Sequence, residues 1–172
     1  MVAAATRGTG PGGRLHLLFT LGGDRYALPA SVIVEVLALR PLKRVPEAPP
    51  WIAGLLTRGG RAVPVIDLAV RQGGPPAARR ASTRLAIVDY EPQPGAPRRQ
   101  LGLVLEQATE TRRLDEAGFG PSGLTTGPAG YLGAVGAEPG AAPPRMVQRI
   151  EVAGLLPADV RDILFPPDAD AG

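Results

Sequence analysis

The side chains that catalysis and metal binding require are scarce in this 172-residue chain. His16 is the only histidine and cysteine is absent, so a Ser-His-Asp triad, a thiolate nucleophile or a multi-histidine metal site has almost no material. Asp115 and Glu116 could form an acid–base pair, but adjacent carboxylates in a loop usually face water. By strand alternation His16 points away from the apolar face that begins at Leu15, so we expect it at the surface or a strand edge. We therefore predict no enzyme activity, no metal site and no cofactor.

Two glycine strings also lack the features of a phosphate-binding loop. Neither Gly10–Gly13 nor Gly59-Gly60 is followed by Gly-Lys-Ser/Thr, and the second string precedes a strand pattern rather than a helix. Because the sequence shows no catalytic, metal or phosphate-binding pattern, we expect a binding surface; small barrels bind partners through grooves and strand edges. An enzyme whose site the sequence does not reveal stays as a lower alternative.

The composition favours many short elements around an aliphatic core. Apolar residues make up 44% of the chain but aromatic residues only 4%, and there are 23 glycines and 20 prolines. No apolar run approaches the roughly 20 residues that span a bilayer, and residues 1–13 lack a signal-peptide pattern. These features predict a cytoplasmic protein without direct membrane insertion and with a flexible tail over residues 1–13.

The first half of the chain reads as short strands with one weak helix. Arg14–Leu21 and Arg25–Leu28 flank a Gly-Gly-Asp turn and predict a β-hairpin. Ser31 is a candidate cap for a short helix whose apolar face begins at Val32, although β-branched residues weaken it. Arg61–Leu68 alternates as a strand in which proline at position 64 indicates an edge or a bulge.

The second half restarts the strand pattern after the polar segment 71–82, a candidate lobe boundary. Strands are predicted at Arg84–Tyr90, Leu101–Leu105, Ala108–Leu114, Tyr131–Val135 and Met146–Val152. Apolar residues spaced like one face of a helix follow from Leu156 to Leu164. Eight to ten short strands with few helices predict an all-β fold built from small barrels.

Gly54–Leu68 (GLLTRGGRAVPVIDL) resembles a signature segment of the CheW family of chemotaxis coupling proteins. Weaker similarities follow in the family's order from the opening hairpin to Leu156. The resemblance implies two intertwined five-stranded SH3-like barrels. It implies a CheW-like domain over residues 14–156, with lobe 1 at about 14–70 and lobe 2 at about 83–156, followed by a C-terminal helix and tail over 157–172.

The same resemblance implies a non-catalytic adaptor. It would couple the cytoplasmic tip of a methyl-accepting chemoreceptor to the regulatory domain of a CheA-type histidine kinase. The protein would be cytoplasmic and recruited to membrane receptor arrays. The segment after Leu156 is also similar to coupling proteins of non-flagellar, surface-sensing systems.

The resemblance places partner binding at two short segments. The first is Ile33, Val34 and Glu35. The second is Arg58, Gly59 and Arg61, where counting back from Pro64 puts the family's arginine position on Gly59, one residue after Arg58. Asp67 matches the family, and we expect it to bond nearby backbone and fix a turn.

A basic small-barrel nucleic-acid-binding protein is the alternative function. The sequence pI of about 9.9 and several arginine pairs favour it, and it predicts binding that weakens steeply with salt. The low aromatic content opposes it, because single-strand binders stack bases on aromatic rings. We therefore expect no nucleic-acid partner.

Overall fold

The computed structural model describes residues 13–122 and 130–166. Residues 1–12 of the predicted 1–13 tail, residues 123–129 and residues 167–172 of the predicted C-terminal tail lie outside the described part. The strands are β1 (Arg14–Leu21), β2 (Asp24–Pro29), β3 (Ile33–Ala38), β4 (Ile52–Arg58), β5 (Arg61–Asp67), β6 (Arg84–Tyr90), β7 (Arg99–Leu114), β8 (Leu132–Glu138) and β9 (Arg145–Ile150). The α-helices are α1 (Leu68–Arg71) and α2 (Ala158–Leu164), and 3₁₀ turns lie at Ala30–Val32, Glu116–Gly118 and Val152–Gly154.

The strands form two barrels that share β7. Barrel A contains β1, β2, β8, β9 and the second part of β7, where Glu106–Leu114 pairs with β1. Barrel B contains β3, β4, β5, β6 and the first part of β7, residues 99–105. Near the change of partner, Gln107 has a φ of 50°, which interrupts the extended backbone. The all-β fold of two five-stranded barrels is therefore confirmed, and each barrel takes strands from both expected lobe ranges, 14–70 and 83–156.

Three apolar clusters hold the barrels together. The largest lies between the barrels and includes Phe19, Ile66 and Val160 of α2. Barrel B encloses a second cluster that contains Val63 and Val65. The split of β5 into Val63 and Val65 on one face and Ile66 on the other agrees with the predicted alternation.

Three local predictions were wrong. The helix expected after Ser31 is a 3₁₀ turn over Ala30–Val32 followed by strand β3, because β-branched residues favour extended backbone. Strand β5 is not an edge strand, since it pairs with both β4 and β7; the pairing with β7 begins at Val65, just past Pro64. His16 is fully buried, because β1 has barrel A on one face and the inter-barrel core on the other.

Candidate functional site

Two of the residues predicted to bind partners meet at one edge of barrel B. Arg58, the last residue of β4, donates from Nη1 to Oε2 of Glu35 in the middle of β3. Their side chains are 29% and 43% exposed, so the ion pair lies at the surface. The two residues lie 23 positions apart in the sequence, and the folding of barrel B brings their side chains into contact.

A bulge in β3 determines which of its side chains face outward. Ile33 pairs with Val88 and Glu35 with Ile87, so Val34 is an extra residue without a partner opposite it. Ile33 packs against the inter-barrel core, whereas Val34 and Val36 are 42% and 41% exposed. Val36 was not among the predicted site residues. The helix predicted for this segment places Val36 on the inward face, so only the assignment of β3 as a strand indicates that Val36 faces outward.

The turn between β4 and β5 determines where Arg58, Gly59 and Arg61 lie. Gly59 and Gly60 have φ of 56° and 76°, and Arg58 pairs directly with Arg61. Two central residues with positive φ are what a two-residue type I′ turn requires. Arg58 is therefore the last strand residue before the turn and contacts Glu35, while Gly59 lies at the exposed tip and Arg61 starts the return strand.

Asp67, the last residue of β5, is hydrogen-bonded to the local backbone. Asp67 caps α1 by accepting from the amides of Ala69 (3.0 Å) and Val70 (3.5 Å). Its second oxygen accepts from the amide of Ala77 at 2.9 Å, which fastens the 71–82 segment to the barrel. The predicted turn role of Asp67 agrees with these bonds.

The residues considered for acid–base chemistry also have structural roles. His16 Nδ1 donates to the carbonyl of Arg14 at 2.8 Å, and its ring stacks on Phe119 with centroids 6.0 Å apart. Burial lowers the pKa of His16, and its Nε2 has no hydrogen-bond partner among the described residues. Asp115 accepts from the amide of Ala117, and Glu116 pairs with Arg149 at 3.0 Å.

A partly buried ion cluster in barrel A is not indicated by any sequence pattern. Arg25 lies 3.1 Å from both Glu110 and Glu138, and Arg112 donates to Glu110. The bond from Arg112 lowers the pKa of the Glu110 carboxyl. The residues of this cluster lie far apart in the sequence, so no local sequence pattern predicts it. Because every carboxylate faces a guanidinium, the cluster is a satisfied structural network rather than an acid–base site.

Two further observations bear on the class of protein. No group of three or more His, Cys, Asp or Glu side chains within residues 13–122 and 130–166 could hold a metal ion. None of the helices in the described ranges is long and apolar enough to cross a bilayer.

Comparison with known proteins gives one consistent result. The sequence pattern of the CheW-like domain family matches residues 15–160. The chain is 26% identical over 103 residues to the chemotaxis protein CheW of Helicobacter pylori, covering 60% of this chain and 59% of that protein. It is 25% identical over 105 residues to the chemotaxis protein CheW of Bacillus subtilis, covering 61% of this chain and 64% of the relative. The matches thus span less than two thirds of either curated relative.

The fold is also that of a solved structure. The scaffolding protein TtCheW from Thermoanaerobacter tengcongensis superposes with a TM-score of 0.72 at 23% identity. The superposition covers 88% of this chain and 92% of that protein, so both barrels are included.

Proposed function

Because the chain belongs to the CheW-like domain family, we propose that it is a non-catalytic adaptor that couples a chemoreceptor to a CheA-type histidine kinase. The observation that supports this most strongly is the family match over residues 15–160, which covers both barrels. Two relatives that carry the same domain are chemotaxis proteins. The proposed partners are the kinase regulatory domain and the cytoplasmic tip of the receptor, and the proposed location is the cytoplasm beside membrane receptor arrays.

We assign partner binding to a surface that we call the coupling patch: Val34, Glu35, Val36 and Arg58. Its centre is two exposed valines, and its charged side is the Glu35–Arg58 pair. An apolar centre beside charged groups is the usual anatomy of a protein interface. Ile33, which packs against the core, supports the patch from beneath, and Gly59 sets the turn that presents Arg58.

The patch is preorganised, which favours binding. Strand β3 is hydrogen-bonded to β6 and the β4–β5 hairpin is bonded to β7, so its side chains stand on two fixed strands. A partner that binds such a surface orders few new backbone segments, and this reduces the entropic cost of association.

The experiment is a binding titration with the cognate CheA-type kinase and a receptor tip fragment, using the full chain. We expect both partners to bind at micromolar concentration or tighter. Val34→Asp and Val36→Asp should each weaken binding at least tenfold, since each places a charge in the apolar centre. The matched control is Met146→Asp, on barrel A, which replaces a side chain that is 73% exposed.

Two results would contradict the proposal. If neither partner is retained at micromolar concentration, the adaptor function is wrong. If both bind but the patch variants behave like Met146→Asp, the function stands and the assignment of the coupling patch is wrong.

A further inference from the structure

A second surface of barrel B carries a concentration of positive charge and shares only Arg58 with the coupling patch. A groove of about 620 Å³ opens between the β4–β5 hairpin, the start of β7 and the end of α2. We call it the arginine groove. Its lining is Arg58, Arg61, Ala62, Val63, Asp89, Arg98, Arg99, Gln100 and Phe165. Four of these nine residues are arginines and one is acidic, so the groove has a net positive charge.

Only part of this charge is balanced by ion pairs within the protein: Arg58 pairs with Glu35. Within the described residues, Arg61 and Arg98 have no ion-pair partner, and both are exposed. Asp89 is the one carboxylate of the lining, and Glu35, the partner of Arg58, is not part of that lining. Fixed guanidinium groups around a concave surface focus the field and attract anions.

The groove continues past Arg99 and Phe165 into a smaller pocket of about 160 Å³. That pocket adds several prolines and Arg161, which pairs with Asp162 of the same lining at 3.7 Å. The Phe165 ring packs on Tyr90 with centroids 5.5 Å apart, which provides an apolar floor between the charges. An elongated site with separated arginines and an apolar floor suits an extended chain that carries several carboxylates.

The distribution of aromatic rings distinguishes between acidic polymers. All seven Phe, Tyr and Trp residues lie in the described ranges, and none is exposed. Single-stranded nucleic acid stacks successive bases on a series of rings, and this groove has one ring in its lining, the half-buried Phe165. Arginine side chains match carboxylates and phosphates alike through paired N–H donors, so the lack of a ring series is what favours an acidic polypeptide.

From these observations we propose that the arginine groove binds an Asp/Glu-rich polypeptide segment of a partner protein. Neither Val34 nor Val36 is part of its lining. This binding extends beyond the adaptor function and does not depend on the identity of the kinase or receptor.

The test uses a fluorescein-labelled peptide of six glutamates alternating with six glycines, titrated with the full chain at 25 mM salt. We expect saturable binding that weakens as salt rises, because screening shortens the reach of exposed charges. The same peptide with glutamine in place of glutamate should not bind. A labelled thymidine oligonucleotide of equal charge is the comparison for nucleic acid.

Arg61→Gln with Arg98→Gln should weaken peptide binding roughly tenfold, as expected for the loss of two exposed charge contacts. The matched control is Arg80→Gln with Arg145→Gln, two exposed arginines outside the lining, which removes the same charge. Asp89→Asn should tighten binding, and this gain cannot result from misfolding.

Three outcomes would overturn the proposal. One is the absence of peptide binding at low salt. Another is an equal loss in the groove double variant and the control double variant, which would indicate attraction to net charge alone. The third is tighter binding of the oligonucleotide than of the peptide, together with its loss in the groove double variant, which would make the groove a nucleic-acid site.

Discussion

Exchanging the charges of the Glu35–Arg58 pair separates its contribution to stability from its contribution to partner binding. Because the side chains are 29% and 43% exposed, we assign the pair about 0.2–1 kcal/mol of folding free energy. Arg58→Glu removes that attraction and places two carboxylates together, so it should lower the free energy of unfolding by about 1 kcal/mol. For a chain of this length, that corresponds to a fall in Tm of roughly 2–4 °C.

The double variant, Glu35→Arg with Arg58→Glu, restores the attraction with its direction reversed. Thermal and urea unfolding should therefore recover most of the lost stability. Kinase binding, measured by titration calorimetry, should fall roughly tenfold in Arg58→Glu and stay weak in the double variant. In the double variant, a partner surface that complements a negative residue 35 and a positive residue 58 meets a charge of opposite sign to the native one at both positions.

Three results would refute this reasoning. Loss of cooperative melting in Arg58→Glu would show that Arg58 holds the fold together. Unchanged kinase affinity in both variants would remove the pair from the interface. Recovery of affinity together with stability in the double variant would show that the pair orders the patch without contacting the partner.

Other predictions concern stability. Burial holds the pKa of His16 below its unfolded value of about 6.5, so its contribution to stability is complete above that pH and decreases as pH falls below it. Urea unfolding at pH 5.5 and 7.5 should show this decrease in the native protein but not in His16→Asn. An equal decrease in both proteins would contradict the prediction. The Arg71 guanidinium lies 4.9 Å from the Trp51 ring centre and 5.0 Å from that of Tyr131, so Arg71→Ala should lower the unfolding free energy by about 1–3 kcal/mol, while exposed Arg80→Ala should not change it measurably. Gly60 has a φ of 76° and open space where a Cβ would lie, so Gly60→Val should cost about 1–3 kcal/mol through backbone strain and Gly60→Asn much less; equal losses would show that strain is not the cause.

Alternation predicts which residues of a strand share a face, but it does not show whether the second face meets solvent. In β5 the sequence correctly separates Val63 and Val65 from Ile66. In β1 the same rule placed His16 at the surface, but both faces of this strand are buried between barrel A and the inter-barrel core. A strand enclosed on both sides has no solvent face for alternation to identify.

The candidate site was predictable only in part for a related reason. Family resemblance selected Glu35 and Arg58 separately, but their contact depends on the closure of barrel B, which no local pattern encodes. The helix expected over Val32–Leu37 would turn Val36 toward the core. The bulged strand instead exposes Val34, Glu35 and Val36 in succession, which a helix would place on different faces. The arginine groove gathers residues from a hairpin, a strand start and a helix end, and in the sequence these read as scattered surface charge.

Arg58 belongs to both proposed binding surfaces of barrel B. It donates to Glu35 in the coupling patch and also lines the arginine groove. A carboxylate bound in the groove would compete with Glu35 for the same guanidinium, so the two surfaces are electrostatically connected through one side chain. A change at Arg58 therefore alters both surfaces, whereas a change at Val36 alters the patch alone and a change at Arg98 alters the groove alone. Loss of kinase binding in an Arg58 variant identifies the coupling patch only when Val36→Asp shows the same loss and Arg98→Gln does not.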